Sequence, residues 1–265
     1  MAARAATTIG ARGWLTLILA GAVLWSALAV DTSAGVIHGG GLTSLGEFSL
    51  ALFRPDLSPG FLATVGQAIG RTLAYAVAGM TVALAIGLPG GLLASGFLVR
   101  GSAKRAVSAT AGRGLLAILR AVHELVWAML FVAAVGLSPI AGVLAIGIPY
   151  GGIVGRFLSE RLQDVPQAPL ASLKSTGASE WGVLLYGRIP MAGPEVVSYL
   201  FYRLECAVRA AAILSFVGLG GIGFRISIAL DDLRFDQVWT LIFALIALVV
   251  SIDLWSAFVR RRLVL

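Results

Sequence analysis

The chain has 265 residues, 58% of them hydrophobic and only 12% charged, with 20 Lys and Arg against 13 Asp and Glu. A water-soluble domain carries about 25% charged residues, so this composition excludes a soluble globular particle and requires lipid as part of the solvent. The net charge of +7 sits in short runs between apolar segments rather than on one basic face. That pattern excludes a nucleic-acid partner and fits membrane orientation signals.

A spanning helix needs roughly 20 apolar residues. Residues 14–30, preceded by Arg4 and Arg12, form the first candidate. Ala27, Leu28 and Ala29 there also fit a signal-peptidase site, whose cleavage would remove one span. Residues 72–99 run uncharged between Arg71 and Arg100. Residues 125–155 are also uncharged, but at about 46 Å of helix they are too long for one span and too short for two. The Ser138-Pro139 step splits them into a tight hairpin, so the first arm begins near Leu115. That draws Arg120, His123 and Glu124 toward the membrane, on one helical face at spacings of three and four. Residues 196–221 make a fifth span and 237–258 a sixth, with Trp239 and Trp255 near its ends as interfacial anchors.

The expectation is an all-α membrane protein with six transmembrane helices. Residues 1–71 hold the first helix and an extracytoplasmic segment. Residues 72–258 form a core of five spans containing a long loop at 159–194, and 259–265 form a basic tail. With the N-terminus inside, thirteen basic residues fall in cytoplasmic segments, among them Lys104, Arg105, Arg156, Arg188 and Arg260. Only Arg54, Arg71, Arg225 and Arg234 fall outside, a bias that predicts an inner-membrane protein with both termini cytoplasmic. Asp31, Glu47, Asp56, Asp231, Asp232 and Asp236 also fall outside, the last three in a short solvated turn.

The 159–194 loop reads as helix, glycine turn, short helix: helix formers at 170–174 precede Gly177, and a second helical stretch covers 180–186 before Arg188 and Pro190. Gly177 followed thirteen residues later by Pro190, with Ile189 before it, resembles the EAA loop of bacterial ABC importer permeases. Ala171, Ser172 and Leu173 occupy the Glu-Ala-Ala positions, and Gly187 the isoleucine position. The stretches at 120–136, 142–146 and 202–223, with Gly87-Leu88-Pro89 and residues 92–95, resemble the phosphonate/phosphate branch of that family in the same order.

The resemblance implies a type I importer permease in which two permease chains, here a homodimer, pair with two ATP-binding subunits. An extracytoplasmic binding protein delivers a phosphorus oxyanion: phosphonate, phosphate or phosphite. Leu173, Lys174, Gly177, Ala178, Ser179, Ile189 and Pro190 would form the loop that couples to the ATPase. ATP and Mg would be used by the partner, with no cofactor on this chain. The residues agree: Lys174-Ser175 is preceded by Leu173 where a P-loop needs glycine, so no ATP site of that kind is present. No catalytic residue is expected. Cys206 stands alone, and His38 and His123 are far apart, so neither an intrachain disulfide nor a metal site is expected. The GLGGIG stretch at 218–223 follows an apolar helical run, so it reads as close packing or a bend rather than a dinucleotide fingerprint.

Charge inside a bilayer is paired or faces water. Glu205 and Arg209 stand at the i,i+4 spacing of a helical ion pair, which makes them either a structural pair or part of a translocation path with Arg203, His123 and Glu124. A guanidinium fork suits phosphate-like groups. Two other readings remain open. An ion-gradient-driven carrier would use Glu205 and Glu124 as proton carriers. A membrane enzyme acting on lipid phosphates would need a nucleophile or metal beside His123 and Glu124.

Overall fold

The computed structural model describes residues 10–29, 39–99 and 101–263. Arg4, Asp31, His38 and Arg100 lie outside the described residues, as do the last two residues of the basic tail. Among the described residues every regular element is helical. Four helices are long and apolar enough to cross a bilayer, and six spans result when each of two bent pairs counts as one. The chain divides into two compact units, one ending at Leu50 and one running from Ala51 to Leu265.

The first unit carries α1 (Ala11–Ala29) and nearly all of α2 (Gly39–Ala51). Trp14, Ile18, Val23 and Trp25 of α1 are all exposed. A helix of 19 residues with no buried face suits hydrocarbon rather than water as its surroundings.

The second unit is organised by α3 (Pro59–Ser95) and α6 (Pro139–Asp164). Pro59 supplies the preset φ of a first helical turn, and Gly96, at φ 76°, closes the helix by donating its N–H to Leu93 O. The span expected at 72–99 is therefore the latter part of a longer helix, and position 71 lies inside that helix. The two helices meet backbone to backbone: a Cβ at Gly91 would lie 2.6 Å from Gly155 O, and one at Gly87 2.9 Å from Gly151 O. Small residues at four-residue spacing permit this approach, which in lipid replaces the hydrophobic drive for helix association. Ala76, Ala83, Ala145, Ile146 and Val154 fill the seam on either side.

Between them run α4 (Ser102–Ala121) and α5 (Glu124–Val135), bent by 81° at Val122 and His123. The expected continuous helix through Arg120, His123 and Glu124 is thus incorrect. His123 is the N-cap of α5, its Nδ1 accepting the Leu125 N–H, so the three side chains do not share a helical face. The Ser138-Pro139 hairpin forms as expected: Gly136 turns at φ 77°, Ser138 caps α6 through Ala141 N, and Pro139 opens it.

Helix α7 (Gln167–Ser175) and the short α8 (Glu180–Val183) follow, then a π-turn over Leu184–Arg188 and α9 (Ile189–Leu214). A 3-10 turn (Ser215–Val217) leads to α10 (Ile222–Asp231), at 40° to the preceding helical run, and α11 (Phe235–Leu263) ends the described chain. The starts of α3 and α11 are tied through Asp56, whose carboxylate accepts from Ser58 N and Gln237 Nε2 while its carbonyl accepts from Thr240 Oγ1.

Candidate functional site

The α7–α8 segment forms a knob whose turn is built from its own residues. At φ 87°, Gly177 takes a backbone conformation that side chains resist, and its N–H donates to Lys174 O. Thr176 Oγ1 donates to Leu173 O, while Ser179 caps α8 by accepting from Gly182 N. Across the turn Lys174 Nζ lies 2.8 Å from Glu180 Oε1, and Arg105 reaches the same carboxylate at 3.9 Å. Glu180 is thereby held below the usual glutamate range, chiefly by the Lys174 hydrogen bond. This pair anchors the loop that lacks an acidic residue at Ala171.

Beneath the turn Leu170, Val183 and Leu184 are buried, with Leu173 and Ala178 packed against them. A Cβ on Gly187 would lie 2.7 Å from Leu170 Cδ2 and 3.5 Å from Leu173 Cδ2. Leu170, with Leu173 beside it, thus fills the space that a side chain at 187 would occupy. The π-turn widens the helix just before Pro190, with Ile189 N donating to Leu184 O. Arg188 then reaches back to cap α6, donating to Leu162 O at 2.6 Å with its guanidinium 3.9 Å from the Phe97 ring centre. Trp181 on α8 and Leu185 and Tyr186 of the π-turn remain exposed.

The intramembrane charges are arranged differently from expectation. Glu205 does not pair with Arg209. It is buried and lies 3.0 Å from Arg260 Nη1 on α11, in an ion pair without hydrogen-bond alignment. A carboxylate removed from water needs a full counter-charge, whereas an i,i+4 pair on a helix surface contributes only about 0.2–0.5 kcal/mol. Arg209 is exposed, with Cys206 Sγ at 3.9 Å. Arg203 donates to Tyr199 Oη at 2.8 Å and lies within 5.7 Å of the ring centres of Tyr150, Tyr199 and Tyr202. The buried Tyr150 lies 5.6 Å from the Arg203 guanidinium, and the charges of two more of the five expected path residues, Glu124 and Arg209, also act on it. Of the other two, Glu205 turns toward α11. His123 is exposed beside Glu124, with its Nε2 3.6 Å from that carboxylate.

A family model described as the binding-protein-dependent transport system inner membrane component matches residues 87–265. The chain belongs to this family. It is accordingly a multi-pass inner-membrane permease. This binding-protein-dependent permease is 32% identical to the phosphite transport system permease protein PtxC of Stutzerimonas stutzeri, over 84% of this chain and 78% of that one. It is 29% identical to the phosphate-import permease protein PhnE of Mycolicibacterium smegmatis, over 82% of this chain and 40% of that one. In fold it resembles the MetNI methionine ABC transporter in an inward-facing conformation, with a TM-score of 0.67 at 18% identity, over 78% of this chain and 99% of the other.

Within the permease, sequence reasoning missed Tyr150, Tyr199, Glu180 and Arg260. Tyr199 and Arg203 stand at i,i+4, a spacing that flags their contact. Nothing local flags Arg260, which meets Glu205 from a different helix.

Proposed function

We propose that this chain is the transmembrane subunit of an ATP-driven importer that moves a phosphorus oxyanion (phosphite, phosphate or phosphonate) delivered by an extracytoplasmic binding protein. Two copies pair around the pathway, and two ATP-binding subunits seat the α7–α8 knobs, using ATP and Mg on their side. Both termini and the knob face the cytoplasm. The family match carries this reading, and the phosphite and phosphate permeases among the relatives support the substrate class. Leu173, Lys174, Gly177, Ala178 and Ser179 form the turn that meets the ATPase, with Ile189 and Pro190 starting the helix that carries its motion into the membrane. Arg203 and Arg209 attract the anion near Tyr150. The engagement of Glu205 by Arg260 removes support for a proton carrier at that site.

The test is co-purification of the tagged chain with its ATP-binding subunits, with Gly177→Asp as the comparison. Association lost in a still-folded variant supports the coupling role, because both charge and backbone at φ 87° would disturb the turn. A native chain that purifies alone and transports without those subunits would overturn it. In proteoliposomes, binding protein loaded with phosphite, phosphate or methylphosphonate then ranks the substrates by stimulated ATP hydrolysis.

A further inference from the structure

Far from the knob, α3 and the 220–225 segment line a small open cavity of about 80 Å³, where the exposed Arg71 and Arg225 are the only ionisable lining residues among those described. One water needs roughly 10–15 Å³ by the same kind of measure, so the space admits several waters or one tetrahedral oxyanion. Neither guanidinium has a hydrogen bond or ion pair among the described residues. Thr64 and Gln67 add a hydroxyl and an amide to the wall.

The wall is shaped for this arrangement. At Gly220, φ is 78°, and a Cβ there would lie 2.6 Å from Arg71 Nη1, so the guanidinium occupies the room that the missing side chain leaves. The turn is fastened to α3 by Tyr75 Oη donating to Leu219 O at 2.7 Å and Ile222 N donating to Thr72 Oγ1 at 3.0 Å. Gly223 N donates to Ser215 Oγ, so the first amides of α10 are already engaged and the cavity's attraction for anions comes from the two arginines. From Arg71 to the end of α3 at Ser95 is about 36 Å of helix, more than the thickness of a bilayer's hydrocarbon core.

The geometry points to a receiving site for a phosphorus oxyanion at the extracytoplasmic end of the pathway, with Arg71 and Arg225 as its two forks. Planar guanidinium donors match the oxygens of such an ion, and the shallow cavity leaves an organic substituent free in water. This site rests on the importer reading and deepens it.

Two measurements on the full complex with its ATP-binding subunits and binding protein test it. The first is arginine modification by phenylglyoxal, read residue by residue by mass spectrometry, with inorganic phosphite or phosphate as the protecting ion. Protection of Arg71 and Arg225 in the native complex supports the site; equal modification with and without either ion overturns it, whatever any variant does. The second is uptake at sub-saturating oxyanion by Arg71→Gln and Arg225→Gln. Each should fall about tenfold or more, as loss of charge-assisted hydrogen bonds implies, while affinity for the binding protein is unchanged. Unchanged uptake overturns the site and leaves the importer reading intact. Weakened docking of the binding protein with normal protection-free arginines would instead assign the pair to a carboxylate of that partner. A native complex that takes up no phosphorus oxyanion fails the importer reading itself, an outcome distinct from all of these.

Discussion

Several cations around α7 and the two beside the 218–221 turn differ in their partners. At the α7 end, Lys174 meets Glu180, Arg156 meets Glu160, Arg161 meets both Asp164 and Glu195, and Arg188 lies on a carbonyl and an aromatic ring. At the opposite end, Arg71 and Arg225 share one cavity with no carboxylate lining it, although Asp231 and Asp232 lie a few residues along the same chain. Paired charges hold shape, whereas unpaired ones retain a field that a mobile anion can use. The difference teaches that basic residues counted alike as orientation marks along a membrane chain separate into paired and unpaired groups only once their partners are known.

This contrast can be broken by stability measurements in detergent. The largest effect is expected for Arg260→Ala, which leaves the buried Glu205 without its counter-charge; breaking such a pair costs about 3–5 kcal/mol, and a thermal midpoint that does not move would refute the pairing. Next is Gly187→Ile, which drives a side chain into Leu170 and should cost about 1–3 kcal/mol. A second change, Leu170→Ala, should recover much of that loss, and an additive double variant would show that the leucine does not fill the space. Lys174→Ala removes a half-exposed pair and should cost less than about 1 kcal/mol.

The Lys174–Glu180 contribution also depends on acidity. Because the Glu180 carboxyl sits below its ordinary range, its contribution is complete above the unfolded-state value and is lost as pH falls through the lower, folded value. The native chain should therefore lose more stability than Lys174→Ala on acidification across that window, and parallel curves would refute the clamp. The smallest effect is expected at the other end: Arg71→Gln and Arg225→Gln should each stay within about 0.5 kcal/mol of the native chain. A loss as large as that of Arg260→Ala would make those arginines structural and dissolve the contrast.

The spans were readable because charge-free runs of sufficient length have few alternatives to helices in lipid. The helix–turn–helix at 170–186 was readable because Gly177 and its flanking helix formers are local signals. What escaped was non-local. The bend at Val122 and His123 contains neither glycine nor proline, so only the structure shows that α4 and α5 part by 81°. Glu205 had a favourable neighbour four residues on, yet burial against α11 gave it Arg260 instead. Arg71 and Arg225 were read as marks of orientation, and their common cavity depends on α3, the 218–221 turn and α10 meeting in space across some 150 residues of chain.

The glycine seam joins these two ends in a mechanical sense. Where Gly87 and Gly91 approach the carbonyls of Gly151 and Gly155, only Val154 and Leu158 reach into the contact, and neither glycine offers a side chain that could repack. Two residues connect α6 to α7, and α3 carries Arg71. In the importer we propose, α3 and α6 would then move as one strut, so that displacement of the knob is carried toward Arg71 rather than absorbed in the seam.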